Sequence, residues 1–307
     1  MFKKALTAGA IAAAISVPGL VLAEDAKPAE PKPSYTLTGN FGFFSQYIFR
    51  GLTQTGHNPA AQGGFDWTHE SGFYLGTWAS NISWLKDNFS TQAQTSGLYN
   101  QGGSMEWDFY GGYRWSLPKD FGLDLGTLYY FYPGNLNPAA MRFGEGFGVN
   151  PPKGDTWEVY VSPSWKWLSA KFSYSVLDHI FAVDSSRGTW YLDLSANPPL
   201  GDTGFTLNLH WGWQKYKGTD GRNAAFAGAY GGAVPSNDTL DSYKDFKVGL
   251  SYALPQNFTI GAYYTKAYSE NILAYGGVFD TFAPGFTGPY PNDIAKGTGT
   301  VFIQKTF

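Results

Sequence analysis

Cysteine is absent from the 307 residues of the chain, and charged residues make up only 15% of it. The missing cysteines exclude disulfides, thiolate chemistry and cysteine-based metal sites. An average soluble domain has about a quarter charged residues, so this composition is unusual for a cytoplasmic enzyme. The net charge of -3 and the lack of basic clusters give no sign of a nucleic-acid partner. No apolar run after the N-terminus reaches the roughly 18 residues of a spanning helix, which excludes a helical membrane protein.

Aromatic residues and glycine are abundant instead. Aromatics make up 18% of the chain, with 11 Trp, 21 Tyr and 24 Phe, and 39 residues are glycine. From residue 35 onward the apolar residues recur with a period of two. In residues 105–115, for example, Trp107 and Phe109 fall on one face, and Glu106 and Asp108 fall on the other. Because successive strand side chains point to opposite faces, this pattern predicts strands with one apolar and one polar face.

Twelve such segments follow one another along the chain. They span about 35–49, 61–68, 72–80, 105–115, 121–132, 155–165, 168–177, 189–196, 204–214, 243–253, 258–266 and 299–307. Connections after the even-numbered segments are short, whereas those after the odd-numbered segments are long. Short periplasmic turns that alternate with long extracellular loops are typical of outer-membrane barrels. The sequence therefore predicts an all-β fold, a transmembrane antiparallel up-and-down barrel of about 12 strands.

The N-terminal residues have the pattern of an export signal. Met1, Phe2, Lys3 and Lys4 form a positive start, and an apolar run leads to a small residue at Ala23. This pattern predicts a cleaved signal peptide over residues 1–23. The charged, proline-rich residues 24–34 are expected to form a disordered periplasmic leader. The barrel is then expected over residues 35–307, in the outer membrane of a Gram-negative cell.

Tryptophan at the strand ends indicates which face of the sheet meets lipid. Aromatic girdles at both headgroup levels are typical of outer-membrane barrels, whereas a soluble β-sandwich would need a densely charged outside. The apolar face is therefore expected to contact lipid and lipopolysaccharide. The expected girdle consists of Trp67, Trp115 and Trp165 at the periplasmic end and Trp107, Trp157, Trp190 and Trp213 at the outer end.

Charged side chains on the opposite face are expected to line a lumen. Two interpretations stay open for them: a transverse field that tunes ion selectivity, or a network of ion pairs that braces the wall. A barrel of about 12 strands is intermediate in size, so the sequence allows both a narrow pore and a plugged interior. The expected lining residues are Arg50, Asp66, Glu106, Asp108, Arg114, Asp124, Glu158, Lys171, Asp193, His210, Asp245 and Lys247.

Motifs for catalysis or metal binding are not found in the sequence. The four histidines have no metal-ligand spacing, and no Gly-x-Ser-x-Gly occurs. We therefore expect no catalytic residues, no metal, no cofactor and no enzyme activity. A barrel hydrolase built around His210 remains an alternative. The terminal Phe307 on an alternating strand is similar to the signal read by the barrel-assembly machinery, which we expect as a partner.

Residues 44–84 resemble a known family. The segments 45–54 (SQYIFRGLTQ), 59–67 (PAAQGGFDW) and 70–81 (ESGFYLGTWASN) carry the resemblance, and 105–113 and 168–174 are similar to later blocks. Together they resemble the TorF-type porins, also catalogued as the Gcw_chp proteobacterial family. The resemblance is strong over about residues 36–180, and it implies an outer-membrane barrel and a porin without naming a solute.

These observations favour passive diffusion of small polar solutes or ions through the barrel. The long loops 133–154, 215–242 and 267–298 are expected to narrow the lumen. A substrate-specific channel, the hydrolase, and a plugged barrel for adhesion or structure are the alternatives. The sequence leaves open whether the protein forms a homo-oligomer.

Overall fold

Twelve strands close into one antiparallel barrel in the computed structural model, which describes residues 33–87, 98–146, 148, 150–269 and 293–307. We number them in chain order as β1 (Tyr35–Phe44), β2 (Ala60–His69), β3 (Phe73–Asn81), β4 (Met105–Leu117), β5 (Phe121–Phe131), β6 (Thr156–Trp165), β7 (Leu168–Ser175), β8 (Trp190–Ala196), β9 (Phe205–Lys215), β10 (Tyr243–Leu254), β11 (Phe258–Tyr268) and β12 (Thr298–Thr306). Each strand pairs with its neighbours in the sequence, and β1 pairs with β12. The predicted fold class and the twelve strands are confirmed.

The seam between β1 and β12 closes the ring. Its ladder has five residue pairs, from Asn40 with Thr306 to Phe44 with Phe302, whereas β1 and β2 share ten. Beyond the last strand residue, the backbone N–H of Phe307 donates to the carbonyl of Gly39 at 2.8 Å.

The connections differ at the two ends of the barrel. Five short turns lie at one end, which we call the turn end, together with the start of β1 and the end of β12. The six long connections leave and rejoin the strands at the other end, which we call the loop end. Several short turns have residues with positive φ, such as Lys119 (61°) and Asp120 (64°), and such residues let a short hairpin connection match the twist of the strands that it joins. The predicted alternation of short and long connections is confirmed.

The two faces of the barrel differ in polarity as the alternation predicts. Outward positions are large and apolar, and Phe65 and Leu37 keep 71% and 66% of their surface exposed. Inward positions are polar, and Glu106, Glu158 and Asp245 are each 1% exposed. The apolar side of this sheet is therefore its outside, the reverse of a soluble sandwich.

Short elements fill the loop end. They are a hairpin of Ile48–Phe49 and Leu52–Thr53, a ribbon of Tyr99–Gly102 with Gly134–Leu136, the helices Trp84–Asp87, Pro138–Glu145 and Asn237–Asp241, and the 3-10 helix Gly221–Tyr230. Their apolar side chains pack in two clusters, one around Leu85, Leu98 and Tyr132 and the other around Ile180 and Tyr243. None of the helices described is long and apolar enough to cross a membrane. The predicted signal peptide, residues 24–32 of the leader, and part of the predicted loop 267–298 lie outside the described residues.

An ion pair holds two of these loops together. Asp220 accepts from the guanidinium of Arg222, and Arg222 also donates to the carbonyl of Ala182 at 2.6 Å. Asp220 further accepts from the backbone N–H of Asp184 at 2.9 Å. The loop that contains the 3-10 helix is thereby fastened to the loop between β7 and β8.

Candidate functional site

Residues 45–59, which we call the constriction loop, fold into the barrel instead of extending β1. The strand was predicted to reach residue 49, but it ends at Phe44. A tight hairpin follows, with Ile48 paired to Thr53 and Phe49 to Leu52. Its two central residues, Arg50 and Gly51, have φ of 46° and 79°. Glycine adopts this backbone readily, whereas a residue such as arginine loses about 1–2 kcal/mol there.

The constriction loop crosses the lumen from the wall formed by β1 and β2. The Tyr47 hydroxyl donates to Glu106 on β4 at 2.5 Å. Gly51 packs against β10, since a Cβ placed on it would lie 2.4 Å from that of Asp245. Near its base, the Gln46 amide donates to Thr298 on β12 at 2.8 Å. The loop therefore contacts the barrel wall on several sides.

Arg50 at the tip of the hairpin reaches the opposite wall. One terminal nitrogen of its guanidinium donates to Oε2 of Glu158 on β6 at 2.6 Å, and the other donates to Oε1 of Gln214 on β9 at 2.8 Å. The ring of Tyr191 on β8 lies 4.3 Å from the guanidinium carbon, and that of Phe181 lies 5.7 Å away. The side chain of Arg50 is 6% exposed. This contact is a buried ion pair flanked by aromatic rings.

The carboxylates Glu106, Glu158 and Asp108 differ in the number of hydrogen bonds that their oxygens accept. Glu106 accepts from two tyrosines, Tyr47 and Tyr132, the latter at 2.7 Å. By contrast, Oε1 of Glu158 and Oδ1 of Asp108 have no hydrogen-bond donor within the described residues. Buried carboxylate oxygens are normally paired, so both are unmet acceptors, and the one on Glu158 belongs to the carboxylate that pairs with Arg50.

Inward side chains nearer the turn end are more exposed. Arg114 donates to Asp124 on the adjacent strand at 3.0 Å, and their side chains are 32% and 15% exposed. The Tyr74 hydroxyl also donates to Asp124, at 2.7 Å. The ammonium of Lys171 lies 3.8 Å from the ring of Tyr160. Arg114 thus pairs with Asp124 along the wall, which is the kind of contact that the bracing interpretation predicts.

His210 on β9 lies between two carboxylates. Its Nε2 is 2.8 Å from Asp245, and its Nδ1 is 3.2 Å from Asp193. Ser195 donates to Asp193 at 2.6 Å and lies 3.4 Å from the same Nδ1. An imidazole that donates from both nitrogens has none left to accept a serine proton, so this geometry does not activate Ser195 as a nucleophile.

The positions of the predicted residues follow the strand alternation. Eleven of the twelve expected lining residues lie on inward strand positions, and Arg50 lies on the constriction loop instead. The seven girdle tryptophans lie on outward positions, where Trp157 and Trp107 are exposed. Sequence reasoning missed Tyr47, Gln214 and Tyr191. The two strand residues among them lie on polar faces and could have been included by alternation alone. No group of three histidine or acidic side chains in the described ranges is placed to hold a metal.

The comparisons with known proteins give one family match and several distant structural similarities. A family model described as a bacterial protein of unknown function (Gcw_chp) matches residues 28–307. The solved KdgM porin is similar with a TM-score of 0.45 at 9% identity, covering 88% of this chain and 99% of that one. Acinetobacter baumannii outer membrane protein Omp33 has a TM-score of 0.39 at 8% identity, covering 89% and 97%. No curated sequence matches. Structural matches this distant carry no information about the function of this chain.

Proposed function

Because the chain belongs to the Gcw_chp family of bacterial proteins of unknown function and closes into a twelve-stranded barrel, we propose that it is an outer-membrane channel for small polar solutes or ions. The Gcw_chp resemblance of the sequence is confirmed by the match. The TorF designation stays a prediction.

The outside of the barrel supports a location in the outer membrane. Large apolar side chains cover it, as at Val159, Leu250 and Val301, which are 41%, 44% and 60% exposed. Contiguous apolar surface on this scale is not stable in water and marks a surface that meets lipid or a partner. A closed ladder also leaves no unpaired backbone edge, as a hydrocarbon environment requires. The tryptophan girdle and contact with lipopolysaccharide are part of this proposal.

The observation that carries the channel proposal is the polar inner face inside this apolar shell. On the described strands seven carboxylates lie at inward positions, against three lysine or arginine side chains and His210, and the constriction loop adds Arg50. Charges are costly inside a barrel unless they pair or meet water. Those near the turn end keep partial exposure, as Arg114 and Asp193 show with 32% and 28%. The lumen at that end is therefore polar enough to hold water and solutes.

Reconstitution of the refolded mature chain in planar bilayers tests the channel proposal. We expect discrete current steps that are small for a barrel of this size, because the constriction loop crosses the lumen. The excess of inward carboxylates predicts a reversal potential on the cation side in a salt gradient. Anion selectivity would contradict our assignment of the lining residues.

A barrel that stays closed is the second candidate, and the constriction loop favours it. It makes hydrogen bonds with Glu106, Glu158 and Gln214 on three different strands, so it spans the lumen at their level. In that case the protein would serve in adhesion or as a structural barrel. The absence of current steps from protein whose folding is confirmed by its shifted mobility on unheated gels would support this candidate and refute the channel.

Assembly through the C-terminal strand completes the proposal. Phe307 is 67% exposed and lies next to the β1–β12 seam. We propose that the barrel-assembly machinery reads this residue before the ring closes. Replacing Phe307 with serine is expected to lower the amount of folded barrel in the outer membrane while the purified chain still refolds in detergent.

A further inference from the structure

The contact of Arg50 points to a solute class. Resting on the channel function proposed above, we propose that the pocket around Arg50 is the solute-binding site of the channel and selects small guanidinium cations. We call it the guanidinium pocket and define it by Glu158, Gln214, Tyr191 and Phe181. Arg50 occupies this pocket as a tethered occupant, and a free cation of the same chemistry would compete with it.

The acceptors of the pocket match a planar fork. Glu158 and Gln214 come from β6 and β9, and each accepts from a different terminal nitrogen of Arg50, at 2.6 and 2.8 Å. A guanidinium presents several N–H donors in one plane and can reach both acceptors at once. An ammonium has its N–H donors on one nitrogen and lacks the planar fork, so it cannot meet two acceptors on different strands with two in-line hydrogen bonds as well as a guanidinium does. The spacing therefore favours guanidinium over ammonium.

Aromatic rings cover the faces of the fork. Tyr191 lies 4.3 Å from the guanidinium carbon of Arg50, and Phe181 lies 5.7 Å from it. Phe181 is held by Tyr130, whose ring centre is 5.2 Å away. Rings at such distances attract planar cations through their negative faces, and more so when water is excluded. Tyr130, Tyr191 and Phe181 belong to the wall and to another loop, so the rings remain if Arg50 leaves.

One acceptor in the pocket has no donor from Arg50. Oε1 of Glu158 is buried and receives no hydrogen bond from the described residues, although Oε2 of the same carboxylate accepts from Arg50. The hairpin backbone fixes the position of the Arg50 side chain, whereas a free guanidinium has five or more N–H donors and can shift to reach both oxygens. This unmet acceptor indicates that the pocket suits a mobile guest better than its tethered occupant.

The backbone that presents Arg50 is itself strained. Arg50 adopts a φ of 46°, and Gly51 lies directly against the wall at Asp245. This strain opposes the ion pair and makes the tip easier to displace. A tethered occupant competes at an effective concentration of about the millimolar range, so a free cation must reach similar levels to replace it.

Arg50→Ala empties the pocket and allows a direct test. Methylguanidinium is the probe, and methylammonium, with the same charge, is the control. In planar bilayers, methylguanidinium should block the current of R50A at about tenfold lower concentration than methylammonium, because it makes one more charge-assisted hydrogen bond. The wild-type channel should need more of the probe than R50A does. Adding Glu158→Gln to R50A should abolish the preference.

A binding measurement separates the pocket from the channel. Methylguanidinium should raise the melting temperature of R50A in detergent micelles more than methylammonium does, and R50A/E158Q should show no difference. If this shift occurs without current in any variant, the channel function fails and the pocket stands. If current flows but both cations act equally on R50A, the pocket proposal is refuted. Arg50→Met, which keeps the apolar stem, replaces R50A should the alanine variant not fold.

Discussion

Removal of the guanidinium of Arg50 should destabilise the barrel far more than removal of an exposed arginine. Arg50 and Glu158 are 6% and 1% exposed, and their atoms are 2.6 Å apart. Breaking a buried pair by deleting one partner costs about 3–5 kcal/mol, because the other charge is left buried without compensation. Arg50→Met keeps the apolar stem of the side chain, so we expect it to lower the free energy of unfolding by about 3 kcal/mol, at the lower end of this range. Removing both charges in R50M/E158Q should cost less than the sum of the two single variants, with a coupling energy of about 2 kcal/mol.

The matched control is the ion pair of Arg187 and Asp178. Its distance is also 2.6 Å, but its side chains are 63% and 74% exposed. Exposed pairs contribute under about 1 kcal/mol, since water and salt screen them. Both cycles can be measured by urea unfolding in lipid vesicles, followed by tryptophan fluorescence. A coupling energy for Arg50 and Glu158 no larger than that of the exposed pair would refute the strong contribution that we assign to the buried ion pair.

Three further predictions concern other parts of the barrel. Val159→Arg on the outer face should lower the free energy of unfolding in vesicles by about 2–4 kcal/mol. Ser162→Arg on the inner face of the same strand should lower it much less. Equal effects of the two variants would mean that lipid does not contact the outside of the barrel. Gly51→Ala should increase conductance, because the added Cβ pushes the tip of the constriction loop off the wall. Gly201→Ala is the control: it also has a positive φ, but its Cβ would have no atom within 4 Å, so conductance should not change. Unchanged conductance in both variants would argue against a constriction. Burial opposes the ionisation of Asp220, but the hydrogen bonds and charge of Arg222 outweigh this effect and lower the pKa of Asp220. The loop should therefore be stable above the ordinary aspartate pKa of about 4 and should loosen as the pH falls below that value. Amide exchange corrected for intrinsic rates would show this change, and the loop of Asp220→Asn should exchange fast at every pH.

The twelve strands could be predicted because each carries its own evidence. In β4 the alternation of Trp107 and Phe109 with Glu106 and Asp108 determines the faces locally, and the lengths of the connections determine the order. Which face of the sheet lies on the outside of the barrel follows from the same pattern. Nothing non-local is needed for these conclusions.

The site could be predicted only in part, because it depends on a change of chain direction. The alternation continues through Tyr47 and Phe49, so the sequence predicts a longer β1. The chain leaves the wall after Phe44 and reverses its direction at Arg50 and Gly51, which adopt positive φ, and arginine is an uncommon residue for such a turn. The partners Glu158 and Gln214 lie 108 and 164 residues away in sequence. No local pattern indicates that they meet.

The ladder between β1 and β12 has five residue pairs, and we expect this joint to be the last part of the barrel to form. Its strands are separated by nearly the whole chain, so bringing them together carries the largest loss of chain entropy, and its ladder has the fewest residue pairs in the barrel to offset that loss. We expect hairpins elsewhere to be in place while this joint is still apart. In the finished protein the same joint should part first, so deuterium should enter Phe41 and Phe43 before it enters the middle of β10.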